Sequence, residues 1–420
     1  MLDLYGYRVL DIRGGYSRTV EVELTDPVMK PCKCGAARAL KHGTRKVQFK
    51  DFPIQRMPTV LEVKRQRWRC EGCGAVLLEE LPGIDTCHNM TVRFRNQVAE
   101  DAISRTFTDT ATLNGIKESL VRRIFKEYAD KVLDGYKPEM PRILGMDEKV
   151  IQGRARFVLG DVGARTMLDI QASRRNMDLE AYLGGISGRE NVEVVTQDMY
   201  WGYKTINERY FRRAAVVIDK FHVVRYANLA VEMVRKQVQN SLRDEDRVSL
   251  KRKIRLLGAR PANLNDDGRR ALRQVFRDYP ILETAVTVKE WFYDIYECDN
   301  RADAEKAYIA WLSLVPHEME RAFTPIIKFM KERRWRPLIF NYFEHPYTNA
   351  YVEALNGLID QINRSGRGYN LETLRAKALL RYGSVPVQFS PMGWGDMIPL
   401  HVGQGIDLST FESDLARDRF

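Results

Sequence analysis

Nowhere in the 420 residues do about eighteen apolar residues run without a charge, so no membrane-spanning helix is expected. The opening stretch MLDLYGYRVLDIRGG lacks the basic-then-apolar layout of a signal peptide, which predicts an intracellular, cytoplasmic protein. Tandem repeats and low-complexity tracts are missing, and so is a phosphate-cradling P-loop. Cysteine is scarce, six in all, and four of the six fall within the first 73 residues as two close pairs. In so long a chain that pattern suits a metal site in a reducing compartment better than a disulfide framework. Acidic residues are outnumbered, 56 against 67 Lys and Arg, and a net charge of +11 with a pI near 9.3 favours a polyanionic partner over an acidic small molecule. A merely soluble basic protein would share that balance.

The cysteines that are present come first. Cys32 and Cys34 lie in PCKCGA, Cys70 and Cys73 in RCEGCGA, with a basic, strand-like stretch including VLEVKRQRWRC between them. Each pair adjoins a turn glycine, Gly35 or Gly74, that lets backbone amides point at sulfur, and four thiolates satisfy a structural Zn2+ with no open position. This is the pattern of a zinc ribbon, expected over 1–90 as a DNA-binding domain. The first pair is C-x-C rather than C-x-x-C, which leaves His42, Cys87 and His88 as alternative ligands. Cys298, alone in DIYECDN, is expected to be a half-buried small residue.

Helical periodicity follows in TVRFRNQVAEDAISRTF, breaks at TDTATLNG and resumes in IKESLVRRIFKEYADKVL. Val98, Ala102 and Ile103 would pack on Ile116, Leu120, Val121 and Ile124, leaving Lys117, Arg122, Arg123 and Lys126 free for phosphates or base edges. A helix-turn-helix over 91–141 fits this pattern, and so does a plain helical hairpin with a solvated basic face. Two prolines in GYKPEMPR mark a linker.

From 142 to 225 the texture turns to short apolar runs. RILGMDEKVI, ARFVLGDV, RTMLDIQA, VEVVTQD and AAVVIDKF predict five strands, with MDLEAYLGGI and YKTINERYF as helices between the later ones. Three strands joined by tight turns must be antiparallel, and two that arrive through helical crossovers should add in parallel. The result is a mixed sheet of the ribonuclease H-like plan. Residues 226–345, rich in Arg, Lys, Leu and Trp, predict an all-α insertion, after which the core resumes over 346–385 and a tail occupies 386–420. Arg252, Lys253 and Arg255 either line a nucleic-acid channel or form a solvated face. Trp291, Trp311 and Trp335 are expected in the insertion's core. The fold class is thus multidomain α/β, with a zinc ribbon, a helix-turn-helix and a mixed-sheet core split by helices.

Three acids stand out in this arrangement. Asp147 sits among apolar residues in RILGMDEKV, Asp198 follows the buried run NVEVVTQ, and Glu353 hangs from the amphipathic helix TNAYVEALNGLIDQI. Two strand acids and one on a returning helix make a divalent-metal cage. The block NRSGRGYN adds Arg364 and Arg367 beside two flexible glycines, either tracking a phosphate backbone or forming an ordinary loop.

The order of these parts, together with GMDEK, TQDMYWGY, VVIDKFHVVRYANLA, TNAYVEALNGLIDQINRSGRGY and LRAKALLRYG, resembles the transposases of the bacterial insertion-sequence group ISL-three over about residues 30 to 382. The resemblance implies that Asp147, Asp198 and Glu353 are a catalytic DDE triad binding two Mg2+ (or Mn2+) ions, with Asp219 and His222 as an Asp-x-x-His element that orients the scissile phosphate. A buried, hydrogen-bonded structural pair is the other reading of Asp219 and His222. Two such ions activate a nucleophilic oxygen and stabilise the leaving one in phosphoryl transfer, so water gives strand cleavage and a freed 3′-hydroxyl gives strand transfer without ATP. The implied partners are double-stranded DNA, as transposon ends and as target, and further copies of the chain in a homodimer or larger assembly. The implied location is the nucleoid. An inactive DNA-binding derivative and a general ribonuclease H-like nuclease are the alternatives.

Overall fold

The computed structural model describes residues 6–385 apart from Val28, Arg56 and Arg333, plus the backbone of 387–388 and 399–400. Apart from that backbone, the expected tail at 386–420 lies outside the described residues. The described residues pack as two units, 6–136 with 362–385, and 137–361.

In the first unit, RTVEVEL alternates with period two, so Val20 and Val22 are buried while Glu21 and Glu23 stay partly exposed. This strand, β2 (Arg18–Leu24), pairs antiparallel with β1 (Tyr7–Arg13) and parallel with β4. Strands β3 (Ala39–Ile54) and β4 (Met57–Cys70) form a long antiparallel hairpin, and β5 (Val76–Leu78) adds to β4. The short strands β6 (Ile84–Asp85) and β7 (Met90–Thr91) close the sheet against β3. Val20, Val22, Phe49, Leu61 and Val63 make its core.

Three helices follow, α1 (Val92–Ser104), α2 (Phe107–Asn114) and α3 (Glu118–Val132). The expected break at TDTATLNG is itself helical, and the true break is at Arg105–Thr106. Thr106 caps α2 by accepting from the Asp109 amide at 3.0 Å, and Gly115, with φ 61°, ends it in a left-handed turn. Val98, Ala102, Ile103, Val121 and Ile124 are buried as expected, with Ile116 and Leu120 half-buried.

The second unit holds the predicted mixed sheet. Strands β8 (Ile143–Ile151), β9 (Arg154–Asp161) and β10 (Thr166–Gln171) are antiparallel. Helix α4 (Asn176–Gly184) leads to β11 (Val194–Gln197), and α5 (Gly202–Tyr210) leads to β12 (Ala215–Ile218). Both β8 and β12 run parallel to β11, giving the order β10-β9-β8-β11-β12. The expected strand AAVVIDKF is shorter than predicted, because Asp219 caps a helix and Lys220 and Phe221 form its first turn.

That helix, α6 (Lys220–Asn240), opens the insertion, followed by α7 (Asp244–Arg252), α8 (Ile254–Gly258), α9 (Asp266–Asp278), α10 (Pro280–Asp294), α11 (Arg301–Leu314), α12 (His317–Lys331) and α13 (Arg336–Phe340). They share a core of their own around Phe292, Tyr308, Trp311 and Phe323. Of the three tryptophans expected there, only Trp311 is fully buried, donating to the Val288 carbonyl at 2.9 Å. Trp291 is 40% exposed, and Trp335 is half-buried with its ring edge-on to Trp201. Arg252 and Arg255 are exposed and Lys253 is half-buried.

The chain returns through α14 (Ala350–Ser365), and α15 (Leu371–Tyr382) then packs within the first unit on α1 and α3. A lysine ties it there. Lys377 is 1% exposed, donates to the carbonyls of Ala102 and Arg105, and sits over the rings of Phe107, Phe125 and Tyr369.

Candidate active site

Two glycines open the way for the returning helix. Gly145 on β8 faces Gly160 on β9, and a Cβ on Gly145 would stand 2.4 Å from a Val352 methyl, while one on Gly160 would meet the Tyr351 ring at 3.0 Å. Tyr351 and Val352 therefore seat in a notch in the sheet. Packing of α14 into that notch delivers Glu353 to the strand that carries Asp147.

Asparagines on the same helix face fix the register, since 349, 353 and 356 follow i, i+4, i+7 spacing. Asn349 donates to the Met146 carbonyl at 3.1 Å, accepts from Thr196 Oγ1 at 3.1 Å, and sends its backbone N–H to Asp219 Oδ1 at 3.2 Å. Asn356 donates to Asp147 Oδ2 at 2.6 Å, and the Glu148 amide donates to Oδ1 at 2.7 Å. Lys149 and Asp360 close the seam at 2.5 Å. Sequence periodicity placed these residues on one face but did not single out either asparagine. Their burial, 0% for Asn349 and 6% for Asn356, appears only once helix and sheet meet.

His222 occupies the centre of the acids. Its Nδ1 lies 3.0 Å from Asp198, 3.2 Å from Asp219 and 3.6 Å from Glu353. Burial opposes its charge, yet hydrogen bonds to Asp198 and Asp219 hold it up to about 11, so the imidazolium neutralises part of the cluster. Burial first, and then the charge of Asp198, push Asp147 up to about 8. Burial and Asp219 push Glu353 up to about 7, with His222 pulling the other way. All five predicted residues are thus brought together from four segments. Ligand atoms of Asp219, His222 and Glu353 come within 4.8 Å of one another, a tighter group than the three acids Asp147, Asp198 and Glu353 make on their own.

A divalent cation fits this donor set. The buried Glu353 Oε2 has no hydrogen-bond partner, Asp198 Oδ1 faces the His222 ring at 3.0 Å, and hard carboxylate oxygens in excess of local positive charge are what Mg2+ or Mn2+ takes. A cleft of about 320 Å³ opens beside them, lined by Glu148, Asp198, Tyr200, His222 and Tyr226. Arg174 spans its rim, paired with Glu148 and over the Tyr200 ring at 5.2 Å.

The four ribbon cysteines meet at the other end of the chain. The register sets Ala39 opposite Cys70, so the hairpin returns the second pair to the first. Sulfur–sulfur distances of 3.4 Å for Cys32–Cys34 and 3.5 Å for Cys32–Cys73 and Cys34–Cys70 approach the spacing of about 3.8 Å that tetrahedral Zn–S bonds impose. The Cys73 amide, with those of its neighbours, holds Cys70 down to about 7, favouring the thiolate. The cluster fits zinc without help from other residues. His88 is committed to Asp85 at 2.8 Å and Glu127 at 3.2 Å, and His42 and Cys87 are exposed outside the cluster. Cys298 is half-buried, as expected.

Lys117, Arg122, Arg123 and Lys126 are all exposed on α3 or at its start. Arg122 is paired with Glu118, and Lys126 with Asp130 and Glu372, whereas Lys117 and Arg123 form no ion pair among the described residues. Arg364 and Arg367 are exposed, Arg367 at φ 54° in the turn after α14.

Fold and site together define a ribonuclease H-like core with clustered acids, joined to a zinc ribbon and a helix-turn-helix. Comparison with known families agrees along the chain. A DDE-type ISL3 family described as "Transposase" matches residues 144–378, the helix-turn-helix domain of transposase family ISL3 matches 79–129, and the zinc-finger of transposase IS204/IS1001/IS1096/IS1165 matches 32–73. The first match alone covers more than half of the chain, and the protein belongs to the ISL3 transposase family. It is similar to the transposase for insertion sequence element IS1001 of Bordetella parapertussis, 25% identical over 389 residues that cover 87% of this chain and 92% of the relative.

Proposed function

We propose that this chain binds the terminal inverted repeats of its own insertion sequence and catalyses metal-dependent strand cleavage followed by strand transfer. The observation that carries the proposal is the convergence of Asp147, Asp198 and Glu353 on His222 from segments up to 206 positions apart in a chain of this family. Asp147, Asp198 and Glu353 would hold Mg2+ or Mn2+, which when bound supplies Lewis-acid activation of the attacking oxygen and charge stabilisation at the leaving one. Asn356 and the Glu148 amide orient Asp147. Asp219 anchors α14 through Asn349 and holds the ring of His222, which faces the cleft where the scissile strand would lie. Lys117, Arg122, Arg123 and Lys126 serve duplex DNA, with Arg364 and Arg367 as further contacts. Because two ends must be paired, the working form is a dimer or larger assembly, acting on the cytoplasmic nucleoid.

Replacing Asp198 with Ala should leave end binding nearly intact and abolish magnesium-dependent cleavage of duplexes carrying the element's ends. Undiminished cleavage by that variant would sink the assignment. A wild-type protein that binds ends without cutting them would instead mark an inactive derivative.

A further inference from the structure

The distal half of the β3–β4 hairpin carries positive charge that the first unit leaves unbalanced. Side chains two apart on a strand share a face, so Arg65, Arg67 and Arg69 continue the line of the buried Leu61 and Val63 past the end of the core. The register sets Arg45 directly across from Arg65 and the exposed Leu40 across from Arg69, on that same face. Arg65 is engaged, donating to the Glu79 carbonyl at 3.1 and 2.7 Å. Arg45, Arg67 and Arg69 form no ion pair among the described residues, and Arg67 Nε is buried with no hydrogen-bond partner. The hairpin's own Glu62 lies on the opposite face, held by Arg13 and Lys46. Like charges across and along a ribbon weaken it. Arg45, Arg67 and Arg69, with no ion pair among the described residues, are therefore a cost to the fold that a polyanion would offset. By contrast, Arg122 and Lys126 on α3 already have carboxylate partners.

We propose that Arg45, Arg67 and Arg69 are the residues through which the zinc ribbon holds DNA, gripping the phosphates of a duplex in addition to the helix-turn-helix. This rests on the reading of the chain as a DNA-end-binding transposase, but it is tested without cleavage. The full-length protein is titrated by fluorescence anisotropy against a duplex of its element's end and an unrelated duplex of equal length, over a range of KCl. The triple variant Arg45→Ala, Arg67→Ala, Arg69→Ala should lower the slope of log K against log salt by about 2 to 3 on both duplexes, roughly one for each phosphate no longer neutralised. The corresponding triple Lys variant should keep the slope, and both should retain zinc. An unchanged slope in the Ala variant overturns the proposal, as does a loss that the Lys variant shares, which would assign the arginines to the ribbon's shape. Failure of the Asp198→Ala prediction would overturn the catalytic assignment and leave this result standing.

Discussion

Asn356 lies one helical turn beyond Glu353, and its loss would leave Asp147 with the Glu148 amide as its remaining hydrogen-bond donor. Partners of metal-binding groups typically change metal affinity or activity by about 10- to 100-fold when removed. Asn356→Ala is therefore expected to raise the Mg2+ concentration for half-maximal cleavage by about that factor while leaving DNA binding unchanged, as a metal titration at fixed salt would show. An unaltered titration would reduce Asn356 to a packing residue. The acids themselves were visible in sequence because each interrupts an apolar pattern. The asparagines were not, because an Asn on a helix face looks the same whether it faces solvent or a strand. Gly145 was equally silent. Its need for a bare Cα comes from Val352, 207 positions away.

At the scale of elements, α15 is held on the helix-turn-helix by a lysine that burial, with Arg381 and Arg122 adding to it, pushes down to about 7. The unfolded chain keeps its lysine protonated to about pH 10.4. Between these values the unfolded state binds more protons, so the penalty is full below pH 7 and stability rises with pH above it, by at most about 1.4 kcal/mol per unit. The melting temperature of wild type relative to Lys377→Met should therefore increase from pH 7 to 9. A constant difference would show that the carbonyls and three rings around the ammonium keep it charged. Helix α2 illustrates a different failure of pattern. TDTATLNG looks like a break because Thr, Asp and Gly cluster there, yet Thr106 and Gly115 are its two caps, and the residues between them bury Phe107, Thr110 and Ala111. Trp291 was misplaced for the opposite reason, since aromatic character alone does not say which side of a helix faces inward.

Over the whole molecule, each unit has a core of its own, and that of the first sheet is small, with five fully buried side chains. Below about the size of an ordinary domain, metal ligation supplies what apolar burial cannot. Zinc chelation, or Cys70→Ser, is expected to raise amide exchange across β3 and β4 while the protection of β8 and β11 persists. Equal loss of protection in both sheets, or none in the first, would contradict a local structural role for the metal. Sequence alone determined what depends on spacing along the chain: the cysteine pairs, the antiparallel and parallel strands of the mixed sheet, the helical texture of the insertion, and the acids that break apolar runs. Tertiary structure decided what depends on distance through space. The glycine notch, the asparagine seam, the burial of Lys377 and the unpaired arginine row all arise where segments remote in sequence meet or fail to meet. Burial, hydrogen bonding and charge balance belong to such pairs of segments, and no single segment encodes them.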